Sequence, residues 1–238
     1  VDRMPCSILI PAAGDSVRFK EKTPLPKGLI RFKWRGVRKT MIEHCVPSAI
    51  YGSVFVGCKK RELPQFRTRL PGFYHFVPMD PTSGQAETVL RMALHMQNFQ
   101  TDLLIINSDN AFNYPTLENF VHTCRIEEVT LGALTFCPKS NKNRYGYVDS
   151  HPHFTHGREK LPISLHALAG AFYVSSTDTL IDAARTAHDE AAGYLSEMFI
   201  FITGKKLSVE ITEFSLHEWG TPETLEADET VTIDWSNL

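Results

Sequence analysis

The chain has 238 residues, 42% of them hydrophobic, and a formal charge of −2. That balance supplies no global attraction to nucleic acid or to an anionic membrane, and no apolar run approaches the ~20 residues of a spanning helix. Five cysteines (Cys6, Cys45, Cys58, Cys124 and Cys137) are odd in number and scattered without a CxxC pair, so reduced thiols in or near the core are expected. The opening "VDRMPC" has no signal-peptide core, and a cytoplasmic location is the expectation.

The first half alternates regularly. Short β-like runs recur as "SILI" (7–10), "SVFVG" (53–57), "YHFVP" (74–78) and "LLIIN" (103–107). Helical patterns fill the gaps: "TMIEHCVPSAI", whose proline bends or ends it, then "KKRELPQFRTRL", then "GQAETVLRMALHMQNF". In the last, Val89, Met92, Ala93 and Met96 share one face. This rhythm predicts a mostly parallel, Rossmann-like α/β sheet. The second half departs from it. "VTLGALTF" and "LAGAFYVSS" read as strands, with "YGYVDSHPHFTHGREK" as a polar hairpin between them. A helix at "DTLIDAARTAH", a helical stretch near "YLSEMFIFI", a strand "KLSVEI" and a short helix from "TPETLEA" follow. No repeat or Pro/Gly linker divides the chain. One domain spanning 1–238 is expected, with a nucleotide-binding half at about 1–115 and an acceptor-binding half with a small mixed β lobe at about 116–238.

Chemistry concentrates after the strands, where an open parallel sheet holds its ligands. The first strand leaves through Ala12-Ala13-Gly14, a bare turn that lets a ligand approach the backbone, followed by Arg18 and Lys27. Two such cations suit a polyphosphate, although a merely solvated loop would read the same, because neither GxGxxG nor a Walker A sequence is present. Asp109 follows the apolar strand "LLIIN", where a carboxylate holds a hard cation such as Mg²⁺ or, equally, caps a turn. Gly84 precedes a helix, and Glu87 can reach back toward its start. "HEWGTPETLEA" opens a helix with Pro at its first position, and Glu218 stands two residues before the glycine.

In this order the motifs resemble those of the sugar-phosphate nucleotidyltransferases, the nucleoside-diphosphate-sugar pyrophosphorylases. "AAGDSVRF", Pro26-Lys27, "RKTMIEH", the strand-end Asp109, "REKLPISLHALAGAFYV" and "GTPETL" match the family's pattern. The resemblance implies a three-layer α/β/α, GT-A-like fold. It also implies transfer of a nucleoside monophosphate from an NTP to a sugar 1-phosphate, with release of pyrophosphate. Arg18 and Lys27 would be catalytic, Arg18 stabilising the leaving phosphates and Lys27 bridging the reacting ones. Ala12, Ala13, Gly14, Gly84 and Gln85 would bind the nucleotide. Glu159 would bond sugar hydroxyls and Lys160 the acceptor phosphate, with Gly146 and Gly170 lining the pocket. Asp109 and Glu218 would hold Mg²⁺. The partners implied are an NTP, with a pyrimidine base favoured by "SGQAETV", and a phosphorylated small-molecule acceptor. Neither nucleic acid nor membrane is expected.

Three features depart from the pattern. Ser16 replaces the second loop glycine, Val17 replaces Ser/Thr, and Glu218 replaces an aspartate. The alternatives are a cytidylyltransferase acting on phosphocholine or another non-sugar acceptor, a GT-A glycosyltransferase, and a nucleotide-sugar-binding regulator without catalysis. His151, His153 and His156 read as an exposed turn in preference to a metal site, and Lys59-Lys60-Arg61 as a solvated helix start. Trp235 either tucks onto the domain or meets a second subunit of a homo-oligomer.

Overall fold

The computed structural model describes residues 6–47, 52–99, 101–113, 115–140, 142–190 and 193–237. The expected helix "TMIEHCVPSAI" therefore runs partly outside the described residues. In chain order the elements begin with β1 (Ser7–Pro11), β2 (Arg31–Trp34), β3 (Val37–Thr40), α1 (Met41–Cys45), β4 (Val54–Lys59), α2 (Leu63–Arg69) and β5 (Tyr74–Met79). Next come α3 (Gln85–His95), β6 (Leu103–Ile106), β7 (Asn110–Phe112), α4 (Thr116–Ile126), β8 (Leu131–Phe136), β9 (Gly146–Val148) and β10 (Gly157–Glu159). The rest are β11 (Ala167–Val174), α5 (Thr177–Glu190), α6 (Leu195–Met198), β12 (Lys206–Glu210), β13 (Leu216–Glu218), α7 (Pro222–Glu226) and β14 (Val231–Thr232).

The mostly parallel sheet follows from strands that bury both faces. β1 pairs in parallel with β4 and β6, and β4 with β5, while β11 runs antiparallel between β6 and β8, and β12 rejoins β8 in parallel. Strands covered on both sides carry continuous apolar runs, and the two-residue period divides each run between two layers. Ile8 and Ile10 enter one core cluster with Leu104 and Ile106, whereas Leu9 enters the other with Leu103 and Ile105. α3 seals the second layer with Val89, Met92, Ala93 and Met96, all wholly buried as their spacing predicts. α4 seals the first with Leu117, Phe120, Val121 and Cys124. The 145–160 hairpin forms as expected, with β9 and β10 antiparallel and joined to β11 through Tyr147 and Ala167.

Two small sheets were not anticipated. β2 and β3 form a hairpin extended by β14, and β13 pairs with β7. Its two-residue turn, Arg35-Gly36, has both φ angles positive, at 50° and 80°, as the tight hairpin turn requires. Phe19, Ile30, Phe32, Ala111, Trp219 and Leu225 make a third core beneath these sheets. That core joins the segments carrying Arg18, Lys27, Asp109 and Glu218. Trp235 tucks onto the same region, its indole N–H donating to Glu226 at 2.8 Å and its ring 6.3 Å from Phe19. Cys6, Cys45, Cys58 and Cys124 are buried, but Cys137 is exposed, which corrects the expectation of core or near-core thiols at that position.

Candidate active site

The carboxyl ends of β1 and β6 open onto two adjoining cavities. The first, about 450 Å³, has small residues along two of its sides, the 12–14 turn and Gly84. Ala12 spends its N–H on Gly57, Ala13 is buried, and Gly14 has open space where a side chain would stand. Across the cavity, Gly84 lies so close to the backbone of Gly193 that a Cβ would sit 2.7 Å from its carbonyl oxygen. Glu87 does reach back, accepting from the Ser83 N–H at 2.6 Å, and so fixes the start of α3.

Ser16 resolves one departure from the expected loop. It adopts the left-handed conformation that glycine would provide (φ 51°, ψ 29°), and its hydroxyl accepts from the Lys27 N–H at 3.0 Å. Serine thus trades backbone comfort for a tether between the loop and the lysine. Lys59 is not solvated as the Lys-Lys-Arg run predicts: it ends β4 with its side chain 4% exposed, lines this cavity and donates to Asp15. That hydrogen bond holds the Asp15 carboxyl below the usual carboxylate range. A nearly buried ammonium needs such a partner, and Glu62 stands 3.9 Å away on its other side.

Asp109 marks the junction of the two cavities. Its carboxylate accepts from the Lys27 ammonium at 2.7 Å, and its carbonyl accepts from the Trp219 N–H at 2.8 Å. Gln85, Asn107 and Asp109 line both spaces, and the Gln85 amide donates to Asn107 at 2.5 Å. Gly170 is required behind them. It has φ 78°, and a Cβ there would lie 2.7 Å from the Asn107 amide nitrogen.

The second cavity, about 550 Å³, is walled by side chains. Arg18 stands exposed at its edge and, among the described residues, forms no ion pair. Glu159 accepts from Ser196 at 3.0 Å, and burial raises its pKa above the usual range. Gly146 leaves room for that carboxylate, since a Cβ would meet it at 2.9 Å. Lys160 takes a left-handed backbone (φ 54°) and donates to the Tyr194 hydroxyl at 3.3 Å. Glu218 accepts from the Tyr145 hydroxyl at 2.9 Å, with Arg144 3.8 Å away. Burial is the main cause that raises its pKa, and the charge of Asp109 adds to it against Arg144 and Tyr145.

Asp109 and Glu218 therefore face one cavity as two carboxylates, with burial as the main cause that disfavours the ionised form of Glu218. That donor set fits a hard divalent cation, which prefers carboxylate oxygen and leaves the rest of its shell to water and phosphate. Gly220 keeps a side chain away from Asp109, because a Cβ there would crowd its carboxylate oxygen at 3.2 Å.

Every residue to which the resemblance gives a site role lines one of the two cavities. Ala12, Ala13, Gly14, Lys27 and Gly84 belong to the first, and Arg18, Gly146, Glu159, Lys160, Gly170 and Glu218 to the second. Gln85 and Asp109 belong to both. Lys59, Asn107, Arg144 and Tyr145 were missed. The signal for Lys59 was its position at the end of a strand neighbouring β1. Arg144 and Tyr145 directly precede Gly146, which had been singled out.

No protein-family model matches the sequence, and no curated protein matches it. Solved structures do resemble it. A nucleoside-diphosphate-sugar pyrophosphorylase from Vibrio cholerae RC9 superposes with a TM-score of 0.70 at 19% identity, over 91% of this chain and 97% of that one. A Bacillus anthracis protein described as a glucose-1-phosphate thymidylyltransferase gives a TM-score of 0.73 at 17% identity, over 93% and 92%. A UDP-glucose pyrophosphorylase from Acinetobacter baumanii gives 0.71 at 14% identity, over 95% and 96%. At these identities the likeness is one of fold, and the chain has the fold of these nucleotidyltransferases. Among the described residues no helix is long and apolar enough to cross a membrane.

Proposed function

We propose that the protein is a nucleotidyltransferase that moves a nucleoside monophosphate from a pyrimidine NTP to a sugar 1-phosphate and releases pyrophosphate. The observation that carries this reading is the meeting of two cavities at Asp109, with Lys27 on one side and Arg18 on the other. A triphosphate lying along the bare turn would present its α-phosphorus there, and an acceptor held by Lys160 would approach from the opposite side. The acceptor phosphate already carries about −1.5 to −2 charge near neutrality, so it attacks without a general base. The work left to the protein is alignment and charge neutralisation. Lys27 and Arg18 would spread the charge of the transferring and departing phosphates, while Ser16 and the 12–14 turn hold Lys27 in register. Asp109 and Glu218 would hold Mg²⁺, which when bound neutralises phosphate oxygens. An NTP substrate also accords with the cytoplasmic location expected from the sequence.

A second reading has its own observation. Tyr145, Tyr194, Glu159 and Glu218 together give the acceptor cavity aromatic rings and carboxylates, a combination suited to a quaternary ammonium head. Phosphocholine then competes with a sugar 1-phosphate as acceptor. Pyrophosphate release measured with each of four NTPs against a panel of sugar 1-phosphates and phosphocholine tests both readings. Turnover with a pyrimidine NTP and a sugar 1-phosphate is expected. Turnover with phosphocholine alone would transfer the assignment to the second reading, and a preference for GTP would overturn the choice of base. No pyrophosphate from any pair would overturn the proposal.

A further inference from the structure

Away from both cavities, three adjacent strands bring a thiol, an imidazole and a carboxylate to one point. Cys137 follows the last residue of β8, His166 precedes the first of β11, and Glu210 ends β12. Register puts all three on the same sheet face. Ala167 pairs with Phe136, which sets His166 opposite Cys137, and Glu210 pairs with Thr135, two residues before Cys137 on the same strand. The His166 Nδ1 and Glu210 Oε2 atoms are 2.8 Å apart, the Cys137 Sγ donates to the same oxygen at 3.6 Å, and all three donor atoms lie within 4.8 Å of one another.

We propose that Cys137, His166 and Glu210 form a binding site for a borderline divalent transition metal, with Zn²⁺ as its natural occupant. The chemistry selects that class, since thiolate and imidazole exclude Mg²⁺ and favour a metal that accepts sulfur, nitrogen and oxygen together. The spacing agrees. In a tetrahedral site with Zn–S near ~2.3 Å and Zn–O near ~2.1 Å, sulfur and oxygen stand ~3.6 Å apart, as Cys137 and Glu210 do. The nitrogen–oxygen pair must open from 2.8 Å to about 3.3 Å. Both side chains have room to open, because the His166 and Glu210 side chains are 23% and 42% exposed.

The surroundings are those of an outer shell. The His151 ring stacks on His166 with centroids 4.8 Å apart, and its own Nδ1 is tied to the Ser208 hydroxyl at 2.7 Å. A stacked ring that is itself tethered restricts the tilt of the His166 imidazole. On the same face, wholly buried Thr135 has a hydroxyl oxygen with no hydrogen-bond partner among the described residues. His153 and His156 take no part, because they bond Lys206 and Asp149 or Thr155 instead. A metal here would clip the ends of β8, β11 and β12 two residues before Leu168, which lines the acceptor cavity.

The full chain, stripped with a chelator and titrated with Co²⁺ alone, tests the site. One equivalent should bind with a sulfur-to-cobalt charge-transfer absorption, which Zn²⁺ then displaces. Cys137→Ser should abolish that absorption. His166→Ala should weaken Co²⁺ binding beyond the ~10–100-fold that loss of an outer-shell partner costs. Zn²⁺ should raise the melting temperature of the parent protein but not of Cys137→Ser. His153→Ala should bind as the parent does. Absence of the charge-transfer absorption, or its survival in Cys137→Ser, would overturn the proposal. These readouts do not involve nucleotidyl transfer, so they stand or fall apart from the proposed reaction.

Discussion

The two cavities that meet at Asp109 are built from different materials. The nucleotide side sets bare turns beside two lysines: the 12–14 turn, left-handed Ser16, and Gly84 pressed against Gly193, with Lys27 and Lys59 between them. The acceptor side is mostly functional side chains: Arg18, Tyr145, Glu159, Lys160, Tyr194 and Glu218. Bare turns recognise what all nucleotides share, a phosphate chain and a flat base, and their shape depends on a few small residues. A side-chain wall is rewritten one substitution at a time. The difference teaches that the reaction class rests on the constrained side and the choice of acceptor on the free one.

The sharpest way to break this division is at its junction. Asp109→Asn keeps the shape of the side chain but removes the charge that both Lys27 and a bound cation need. Turnover should fall by at least about a thousandfold with every NTP and acceptor, beyond the ~100–1,000-fold typical for loss of one charge-stabilising donor. The ion pair is partly exposed, so its loss should move stability by no more than ~1 kcal/mol. Pyrophosphate release and a thermal melt measure the two effects, and turnover within tenfold of the parent would contradict the assignment of Asp109.

Next in size are the two cations. Lys27→Ala and Arg18→Ala should each cost on the order of a hundredfold in kcat, about 3 kcal/mol of transition-state stabilisation. They should differ in a way that sharpens the comparison. Lys27 lines only the nucleotide side, so its loss should be the same for every acceptor. Arg18 would serve the departing phosphates from the edge of the acceptor cavity, so its loss should combine a part common to all acceptors with a part that varies among them. Steady-state kinetics of both variants with two acceptors decides this, and an identical pattern for the two would remove the distinction.

The constrained side was also the more legible one. Strands buried on both faces announce themselves as runs such as "LLII", and α3 announces itself by apolar residues at helical spacing. Turn residues after those strands then located Gly14, Gly84 and Asp109. Lys59 escaped because a Lys-Lys-Arg run reads as solvated, whereas the end of β4 turns its first lysine into the cavity, where Asp15 holds it. The β2–β3 hairpin escaped because its turn is Arg-Gly in place of the usual Asn-Gly or Asp-Gly. β7, β13 and β14 are two or three residues long, too short to carry a period. The Cys137–His166–Glu210 cluster joins positions far apart in the chain, and only strand register reveals it.

A pH experiment probes the acceptor side more gently. Burial first, then Asp109, raise the Glu218 pKa above that of an unfolded glutamate. The folded state thus holds this proton more tightly, and the associated stability, present at low pH, is lost as pH rises through the raised pKa. The same proton competes with a cation for the carboxylate. Apparent Mg²⁺ affinity, read from rate against Mg²⁺ concentration, should therefore fall as pH drops through a window above the ordinary glutamate range. Glu218→Gln should flatten that dependence, raise the Mg²⁺ needed for half-maximal rate and lower kcat by about tenfold. If Glu218 serves only as an entry to the turn before Gly220, the pH dependence will be unchanged, and the cation site contracts to Asp109, phosphate and water.

The smallest expected effect is at Ser16, where a side chain has entered the bare turn. Ser16→Gly removes a left-handed penalty of ~1–2 kcal/mol for a non-glycine residue. Against that gain, the hydrogen bond to the Lys27 N–H contributes ~0.5–1.5 kcal/mol, and glycine costs a further ~0.5–1 kcal/mol in unfolded-state entropy. These terms nearly cancel, so stability should stay within ~1 kcal/mol of the parent. Catalysis should not cancel in the same way, because the lost tether positions Lys27, and a more mobile Lys27 reaches its productive geometry less often. A drop of about threefold to tenfold in kcat, equal for all acceptors and with an unchanged melting temperature, is the expected result. A rise in kcat would mean that left-handed Ser16 holds the loop away from its working shape, and that the turn works better as pure main chain.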